Sequence, residues 1–345
     1  SDIYSNNAIA GGGAYLITST LTIAGDCSEI ASNKATGNGG GVYAVGSTIN
    51  LDLDAELYSN TAGTSGTGNG GGAYLDNSGL WGDKALIYYN TAYDYGGGVY
   101  ATNNSSLDMD MGGYTCTGPR CSQLSYNITT ALYGGGVYAT GNSEVDLRQI
   151  FVEGNAAQYG GGIYANQSPV YLYNTLIARN DATGGIGDGL RLYTGSSLIG
   201  AHNTLAHNDA TGATTGNAIG MSGATLSLNN SVIWGHATSV SDAAQTITCS
   251  DVQGGYVGTD NLNVNPLFID PSVANFHLQH LSPVIDRCAT GQSVDFDNEA
   301  RPITYIRPAT PYDMGADEAS ARVGINNAPC AYGRIQDAVD AAAPA

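Results

Sequence analysis

A six-residue pattern that recurs along two-thirds of the chain constrains its fold more than any other feature. Each copy has an aliphatic residue, an Asn three positions later and a small residue two positions after the Asn, at a mean spacing of about 29 residues. Periods of about 20 to 50 residues are typical of solenoids, in which each repeat buries its apolar side against its neighbours. The aliphatic positions are Ile3, Ile30, Leu57, Ile87, Leu124, Val152, Ile177 and Leu205. The Asn positions are Asn6, Asn33, Asn60, Asn90, Asn127, Asn155, Asn180 and Asn208, and a ninth copy has His236 at this place.

The residues between two copies have the pattern of a β-strand. Apolar and polar residues alternate strictly over residues 48–54, so Ile49, Leu51 and Leu53 are predicted to face a core while Asp52 and Asp54 face water. The same alternation occurs at residues 107–111, 145–148 and 226–228. No repeat has the apolar stripe of a helix. We therefore predict an all-β parallel β-helix of about nine coils with three short strands each, right-handed as parallel crossovers generally are.

Gly and Asn are predicted to form the corners of the coils. A Gly-Gly-Gly-apolar-Tyr motif shares the period, and both Gly and Asn tolerate the left-handed backbone region. Stacked Asn side chains can also hydrogen-bond from coil to coil. The tyrosines of the motif either form a ladder across the coils or stack on sugars. These tyrosines are Tyr15, Tyr43, Tyr74, Tyr100, Tyr138 and Tyr164.

Charge excludes several functions. The net charge is −19 and the chain has only two lysines, Lys34 and Lys84, which argues against nucleic-acid binding. No apolar run reaches the ~20 residues that a membrane span needs. An acidic surface fits an extracellular protein or a calcium-rich setting, and it also keeps a protein with open strand edges soluble. The first residues do not form a signal peptide, so we expect a processed chain or part of a larger one.

Six cysteines, an even number, favour an oxidising compartment over six buried thiols. Cys116 and Cys121 bracket a short loop, and Cys249 and Cys288 lie in the same C-terminal region, so either pair could form a disulfide. Cys27 and Cys330 remain, one near each end. Sequons permit glycosylation, although a chain rich in Asn, Ser and Thr produces them by chance. They lie at Asn103, Asn104, Asn127, Asn166 and Asn229.

The C-terminal third resembles a known group of proteins. Segments such as Asn265–Pro271, Asp295–Pro302 and Asp313–Glu318 look like the end of bacterial surface proteins with right-handed parallel β-helix repeats, often called choice-of-anchor Q proteins. The Gly-rich coils also resemble polymorphic outer-membrane proteins and, more distantly, the pectate-lyase-like fold. Cys288 and Asn298-Glu299 depart from the family pattern. The resemblance implies a right-handed β-helix in which no catalytic residue belongs to the C-terminal region.

We accordingly divide the chain into three parts. Residues 1–240 are the coils, residues 241–318 are the irregular last coils, and residues 319–345 are a linker with an amphipathic helix. In that helix Ile335, Val339 and Ala342 share one face.

The terminal helix resembles one that covers the N-terminal opening of such domains. We therefore hypothesise that it caps the first coil of the next copy, near Ile3, in a head-to-tail or tandem assembly. Cys330 would then lie near the neighbour's Cys27. The alternative is a helix that packs on its own chain.

An enzyme is the rival function. Two carboxylates across a cleft could make a glycosidase, and Asp52 with Asp54, or Asp108 with Asp110, have a suitable spacing. A solvated strand face explains the same pattern. A lyase would need a basic residue beside carboxylates, for which the candidates are Arg179 with Asp181 and Asp188 with Arg191. The five histidines show no triad or metal spacing.

Calcium is the one candidate cofactor. Asp295, Asp297 and Glu299 supply three carboxylates within five residues, although they lack the Gly and distal Glu of an EF-hand. A hairpin with exposed acids is the alternative. The sequence as a whole predicts a non-catalytic extracellular or cell-surface module, structural or adhesive, with copies of itself and surface glycans as partners. The alternative is a β-helix that binds or cleaves carbohydrate.

Overall fold

Four parallel sheets follow one another around each coil and extend along one stack. The computed structural model describes residues 2–25, 28–113, 122–208, 216–242, 245–303 and 309–319. Sheet 1 contains Asp2–Tyr4, Glu29–Ala31, Glu56–Tyr58, Leu86–Tyr88, Gln123–Ser125, Phe151–Glu153, Leu176–Ala178, Thr204–Ala206, Val232–Trp234 and Asp251–Val252. Sheet 2 contains the two-residue strands Asn7–Ala8, Lys34–Ala35, Thr61–Ala62, Thr91–Ala92, Ile128–Thr129, Ala156–Ala157 and Asp181–Ala182.

The longer strands form the other two sheets. Sheet 3 contains Ala14–Ile17, Val42–Val45, Ala73–Asp76, Val99–Thr102, Val137–Thr140, Ile163–Asn166, Leu190–Tyr193, Asn217–Ser222 and Thr238–Val240. Sheet 4 contains Thr20–Ala24, Thr48–Asp52, Gly79–Asp83, Ser106–Asp110, Glu144–Arg148, Pro169–Tyr173, Ser197–Ala201, Thr225–Asn229 and Thr246–Thr248. Each turn thus has up to four strands, and the prediction of three missed the two-residue strands of sheet 2.

The aliphatic residues of the repeat stack directly over one another, as predicted. Ile30 pairs with Leu57, Leu57 with Ile87 and Ile87 with Leu124 in the register of sheet 1, and all four are fully buried. The column continues through Val152, Ile177, Leu205 and Ile233. One apolar core therefore runs through the stack, filled by equivalent side chains of successive turns.

The corner Asn residues form the predicted ladder, but for a reason other than backbone conformation. In each turn the left-handed residue precedes the Asn, as Ser59 does with φ 54° and Tyr126 with φ 53°. The Asn instead bonds its neighbours. Asn127 donates from Nδ2 to Asn155 Oδ1 at 3.0 Å and to the carbonyl of Ile87 at 2.9 Å. The fully buried amide thus satisfies backbone groups of the preceding coil and bonds the Asn side chain of the next coil.

His236 continues the ladder at its last step. The backbone N of Asn208 donates to His236 Nε2 at 3.2 Å, which replaces an Asn oxygen. Burial, and then the nearby His207, lower the pKa of His236 to about 3, so the ring is neutral and Nε2 can accept.

A second ladder, of serines, was not predicted. The backbone N of Ser47 donates to Ser78 Oγ and that of Ser78 to Ser105 Oγ, each at 3.0 Å. The same bond recurs from Ser105 to Ser143 and from Ser143 to Ser168. A Ser just before seven of the nine sheet 4 strands was the signal for it.

The tyrosines after the Gly triplets form the cross-coil ladder that was one of the two predictions. The rings of Tyr15, Tyr43 and Tyr74 stack at centroid distances of 4.9 and 4.8 Å. The stack continues to Tyr100, Tyr138 and Tyr164. Stacking between neighbouring turns adds to the backbone ladder on the outside of sheet 3.

The C-terminal region lies beside the stack. The last strands of the stack, Thr246–Thr248 and Asp251–Val252, pair with the preceding turn. Beyond them are an antiparallel pair, Phe268–Asp270 with Asn275–Leu278, and a 3₁₀ turn at Pro271–Val273. This region packs on the outer face of sheet 1 and builds a second core. That core includes Leu176, Ala178, Ala206 and Val232 from the sheet, and Phe268, Phe276, Val284, Ile285 and Phe296 from the C-terminal region.

Candidate functional site

The outer face of sheet 4 carries a column of carboxylates. Asp52, Asp83 and Asp110 occupy paired positions in three successive strands. Burial first, and then the neighbouring Asp83, raise the pKa of Asp52, and burial is also the main cause of the raised pKa of Asp110. Repulsion between stacked like charges makes this face a favourable place for a cationic ligand.

A parallel column on the same face mixes aromatic and charged side chains. Trp81, Asp108, Asp146 and Tyr171 pair in this order across four strands. Trp81 is 41% exposed. Asp146 accepts from Arg148 Nε at 2.9 Å. Aromatic rings beside carboxylates and a guanidinium provide the chemistry of a sugar-binding surface.

The carboxylate pairs considered for a glycosidase differ in the structure. Asp108 and Asp110 lie on the outer face of one strand, as predicted. Asp54 does not continue the strand of Asp52, because the chain turns at Leu53 and Asp54, with φ 54° and 65°. Asp54 instead pairs with Lys84 at 2.9 Å. Of the two pairs, only Asp108 and Asp110 keep the predicted arrangement.

The residues considered for a lyase are in structural contacts. Arg179 lies 3.5 Å from Glu153 and donates from Nη2 to the carbonyls of Pro271, at 2.9 Å, and of Ser272. It thereby ties the C-terminal region to the stack. Asp188 is 1% exposed and accepts from the backbone N of Ala182 at 3.0 Å. Arg191 lies in sheet 3 with its Cζ 5.6 Å from the Tyr193 ring centre.

The three residues predicted to bind calcium do not converge on one point. Asp295 is fully buried, and its Oδ1 accepts from the backbone N of Asp297 at 3.0 Å and of Glu299 at 2.7 Å. Its Oδ2 accepts from the backbone N of Glu318 at 3.2 Å. Burial, and then the charge of Asp317, raise the pKa of Asp295 to about 7. The Asp295 carboxylate therefore holds a turn together.

The motifs that carried the family resemblance meet in a buried polar network. Arg301 donates to the carbonyls of Gly315, at 3.1 Å, and Ala316, and to His202 Nδ1 in the stack. Its Nε lies 3.8 Å from Glu318, and both side chains are fully buried. Burial, followed by the charge of Arg301, lowers the pKa of His202 well below its usual value. These residues fix the C-terminal region on sheet 1.

A disulfide joins Cys249 to Cys288, which are 39 positions apart in sequence and have their Cα atoms 5.8 Å apart. It is one of the two predicted local pairs, and it explains the departure from the family pattern at Cys288. Cys116 and Cys121, and also Cys27 and Cys330, lie outside the described residues. The bond links the end of the stack to the region that covers sheet 1.

Replacing both Cys249 and Cys288 by Ala is expected to lower the free energy of unfolding by about 2–4 kcal/mol, because the unfolded chain regains the entropy of a long loop. Urea unfolding of the oxidised protein and of the variant measures this difference. Reduction of the wild type should produce the same shift. Equal midpoints for both proteins would contradict the prediction.

The other predicted positions are also placed. Asn104 lies at an exposed turn, and Asn166 and Asn229 are at the ends of strands. Asn127 was wrong as a glycosylation candidate for the folded chain, since it is fully buried and both amide hydrogens are bonded. Ile3 lies in the first strand of sheet 1. Ile335, Val339 and Ala342 lie outside the described residues.

The sequence did not point to two groups of residues. The first is Trp81 on the outer face of sheet 4. A Trp at a position of its strand that faces water was the signal that could have identified it. His277 and Asp317 lie near Asp297, although they are 20 residues from it in either direction. Nothing in their spacing pointed to that contact.

Comparison with known proteins agrees with this architecture. The family model described as a right-handed β-helix region matches residues 71–252, which is more than half of the chain. The protein therefore belongs to the right-handed β-helix family. No match was found among curated proteins or among solved structures. In the described ranges, no helix has the length and apolar character needed to cross a membrane.

Proposed function

We propose that the protein is a non-catalytic structural or adhesive module of the extracellular surface. The observation that carries this proposal is the continuity of the Asn, Ser and Tyr ladders along the stack. In such ladders the repeated side chains bond neighbouring turns to one another and stiffen the stack along its axis. A stiff rod with an extended outer face suits a spacer or an adhesive stalk. The closer resemblance to choice-of-anchor Q and polymorphic outer-membrane proteins is part of this proposal.

Further support comes from contacts and from redox chemistry. Arg179, Asp54 and Asp188 are engaged in ion pairs or backbone hydrogen bonds that hold the fold together. The Cys249–Cys288 disulfide suits an oxidising compartment such as the cell exterior.

The first turn supports end-to-end assembly. Its strands pair on one side only within the described residues. It also carries exposed apolar side chains, since Ile9 is 83% exposed and Tyr15 and Ile17 are each 55% exposed. Unpaired strand edges beside apolar surface favour pairing with another chain. We propose that the terminal segment of a second copy covers this turn and makes a contact that continues into a filament.

Ile17→Asp tests the assembly. We expect the wild-type protein to form rods that lengthen with concentration in negative-stain images and in light scattering after gel filtration. A buried aspartate at the contact should shift this variant to the monomer. Ile199→Asp is the matched control, because Ile199 is 44% exposed in the middle of sheet 4 and should leave the rods intact. A wild-type protein that remains monomeric at high concentration would refute the assembly.

Carbohydrate binding is the second candidate function, favoured by the exposed Trp81 beside Asp108. Titration of polysaccharides against the wild type and Trp81→Ala, followed by tryptophan fluorescence, tests it. A saturable signal that the variant loses supports a sugar-binding face. Product release from the same polysaccharides that Asp108→Asn abolishes would instead indicate a carbohydrate-cleaving enzyme.

A further inference from the structure

Three metal-ligating side chains from separate segments meet at the surface of the C-terminal region. His277 lies in the strand Asn275–Leu278, Asp297 lies in the turn that begins at Asp295, and Asp317 lies near the end of the described residues. One ligand atom from each of the three lies within 4.8 Å of the other two. They form the only such group of three in the described parts of the chain.

Neighbouring groups orient these three side chains. Asn275 Oδ1 lies 2.8 Å from His277 Nδ1, which directs Nε2 towards Asp297 Oδ2 at 2.7 Å. The backbone N of Leu278 donates to Asp317 Oδ2 at 2.7 Å. An imidazole whose second nitrogen is held by an oxygen is the usual arrangement of a metal-bound histidine.

The local charge also favours a cation. Asp297 and Asp317 bring two carboxylates to His277, and the buried Asp295 accepts from the backbone N of Asp297 at 3.0 Å. The charge of Arg301 also acts on Asp317, but its guanidinium contacts Glu318, His202 and backbone carbonyls. A protonated His277 neutralises one carboxylate, whereas a divalent ion on a neutral His277 neutralises both.

We propose that His277, Asp297 and Asp317 bind a divalent transition-metal ion of the zinc class. A ligand set with an imidazole favours zinc or a similar metal over calcium, which takes oxygen ligands. In a tetrahedral zinc site the ligand atoms lie about 3.4 Å apart. The spacings here, from 2.7 Å to at most 4.8 Å, lie on both sides of that value. The His277 side chain is 47% exposed and free to adjust, and a water molecule would complete the site.

Such an ion would add a further link between three segments that already meet through hydrogen bonds, such as those from Leu278 N to Asp317 Oδ2 and from Glu318 N to Asp295 Oδ2. It would fix the antiparallel pair, the Asp295 turn and the segment that contains Asp317 to one another on the outside of sheet 1. Because it binds only the folded arrangement, it would stabilise the C-terminal region in proportion to its concentration.

Calorimetric titration of the whole, chelator-treated protein with ZnCl₂ tests the site. We expect one ion per chain, with affinity more than about tenfold weaker in His277→Ala and in Asp317→Asn, since even supporting residues of metal sites cost 10–100-fold. His280→Ala is the matched control, a histidine three positions away and outside the cluster, and should bind as the wild type does. No saturable zinc binding, or equal binding by all variants, would overturn the proposal.

Two further measurements separate a metal site from a simple ion pair. Co²⁺ should give the visible absorption of a tetrahedral site in the wild type and not in His277→Ala. Zinc should raise the melting temperature of the wild type but not that of His277→Ala, whatever the starting stability of the variant. Stabilisation by CaCl₂ with no response to zinc or cobalt would overturn the assignment to the zinc class.

Discussion

Asn127→Ala is expected to lower the free energy of unfolding by roughly 4–6 kcal/mol, because it leaves several buried polar groups without partners. The backbone N and Nδ2 of Asn90 both donate to Asn127 Oδ1, at 3.0 Å. The carbonyl of Ile87 also loses its donor at 2.9 Å. Each such orphaned group costs about 1–3 kcal/mol in a dry interior.

Urea unfolding followed by circular dichroism measures the effect of this substitution. Asn50→Ala is the matched control, because Asn50 lies on the outer face of sheet 4 and its Nδ2 makes only an exposed bond to Thr22 Oγ1 at 3.2 Å. It should change stability by less than about 1 kcal/mol. Similar losses for the two variants would show that the ladder adds nothing beyond an ordinary surface amide.

Gly135→Ala is expected to lower the free energy of unfolding by at least about 4 kcal/mol or to prevent folding. An added Cβ would lie 2.5 Å from the backbone N of Ala156, its carbonyl O and the carbonyl O of Gly161. Overpacking costs about 1–3 kcal/mol where side chains can move aside. Here all three atoms belong to the backbone of the next coil, so two turns of the stack must separate.

Gly37→Ala is the control for this prediction. Neither glycine has a positive φ, so alanine fits the backbone at both positions and only the available space differs. At Gly37 the single close atom is the carbonyl O of Ile9, at 3.1 Å. Thermal melts should therefore place Gly37→Ala near the wild type. A mild effect of Gly135→Ala would mean that the coils tolerate a wider spacing than the stack shows.

The periodic half of the molecule was predictable because its contacts connect equivalent positions. Ile30, Leu57 and Ile87 lie one period apart in sequence and one strand apart in space. The spacing of the repeat therefore predicted the register of the sheet directly. The role of Asn was less accessible, since Ser59 and not Asn60 takes the left-handed conformation.

The candidate sites were less predictable, because only part of their contacts connect equivalent positions of the repeat. The carboxylates of sheet 4 could be placed from strand alternation, except Asp54, where the chain turns away. The group of His277, Asp297 and Asp317 could not be placed from the sequence, because these residues meet through the packing of an irregular region. Only Asp297 of the predicted calcium residues belongs to it.

The sequence by itself determined the solenoid, its core column and its Asn ladder, because neighbouring turns contact each other at a nearly constant spacing along the chain. The tertiary structure alone decided that the C-terminal region covers sheet 1. Gln149 bonds the carbonyl of Asp295 across 146 residues, and Asn298 that of Gly113 across 185. Such contacts depend on the complementary shape and polarity of two finished surfaces, and no local period encodes them.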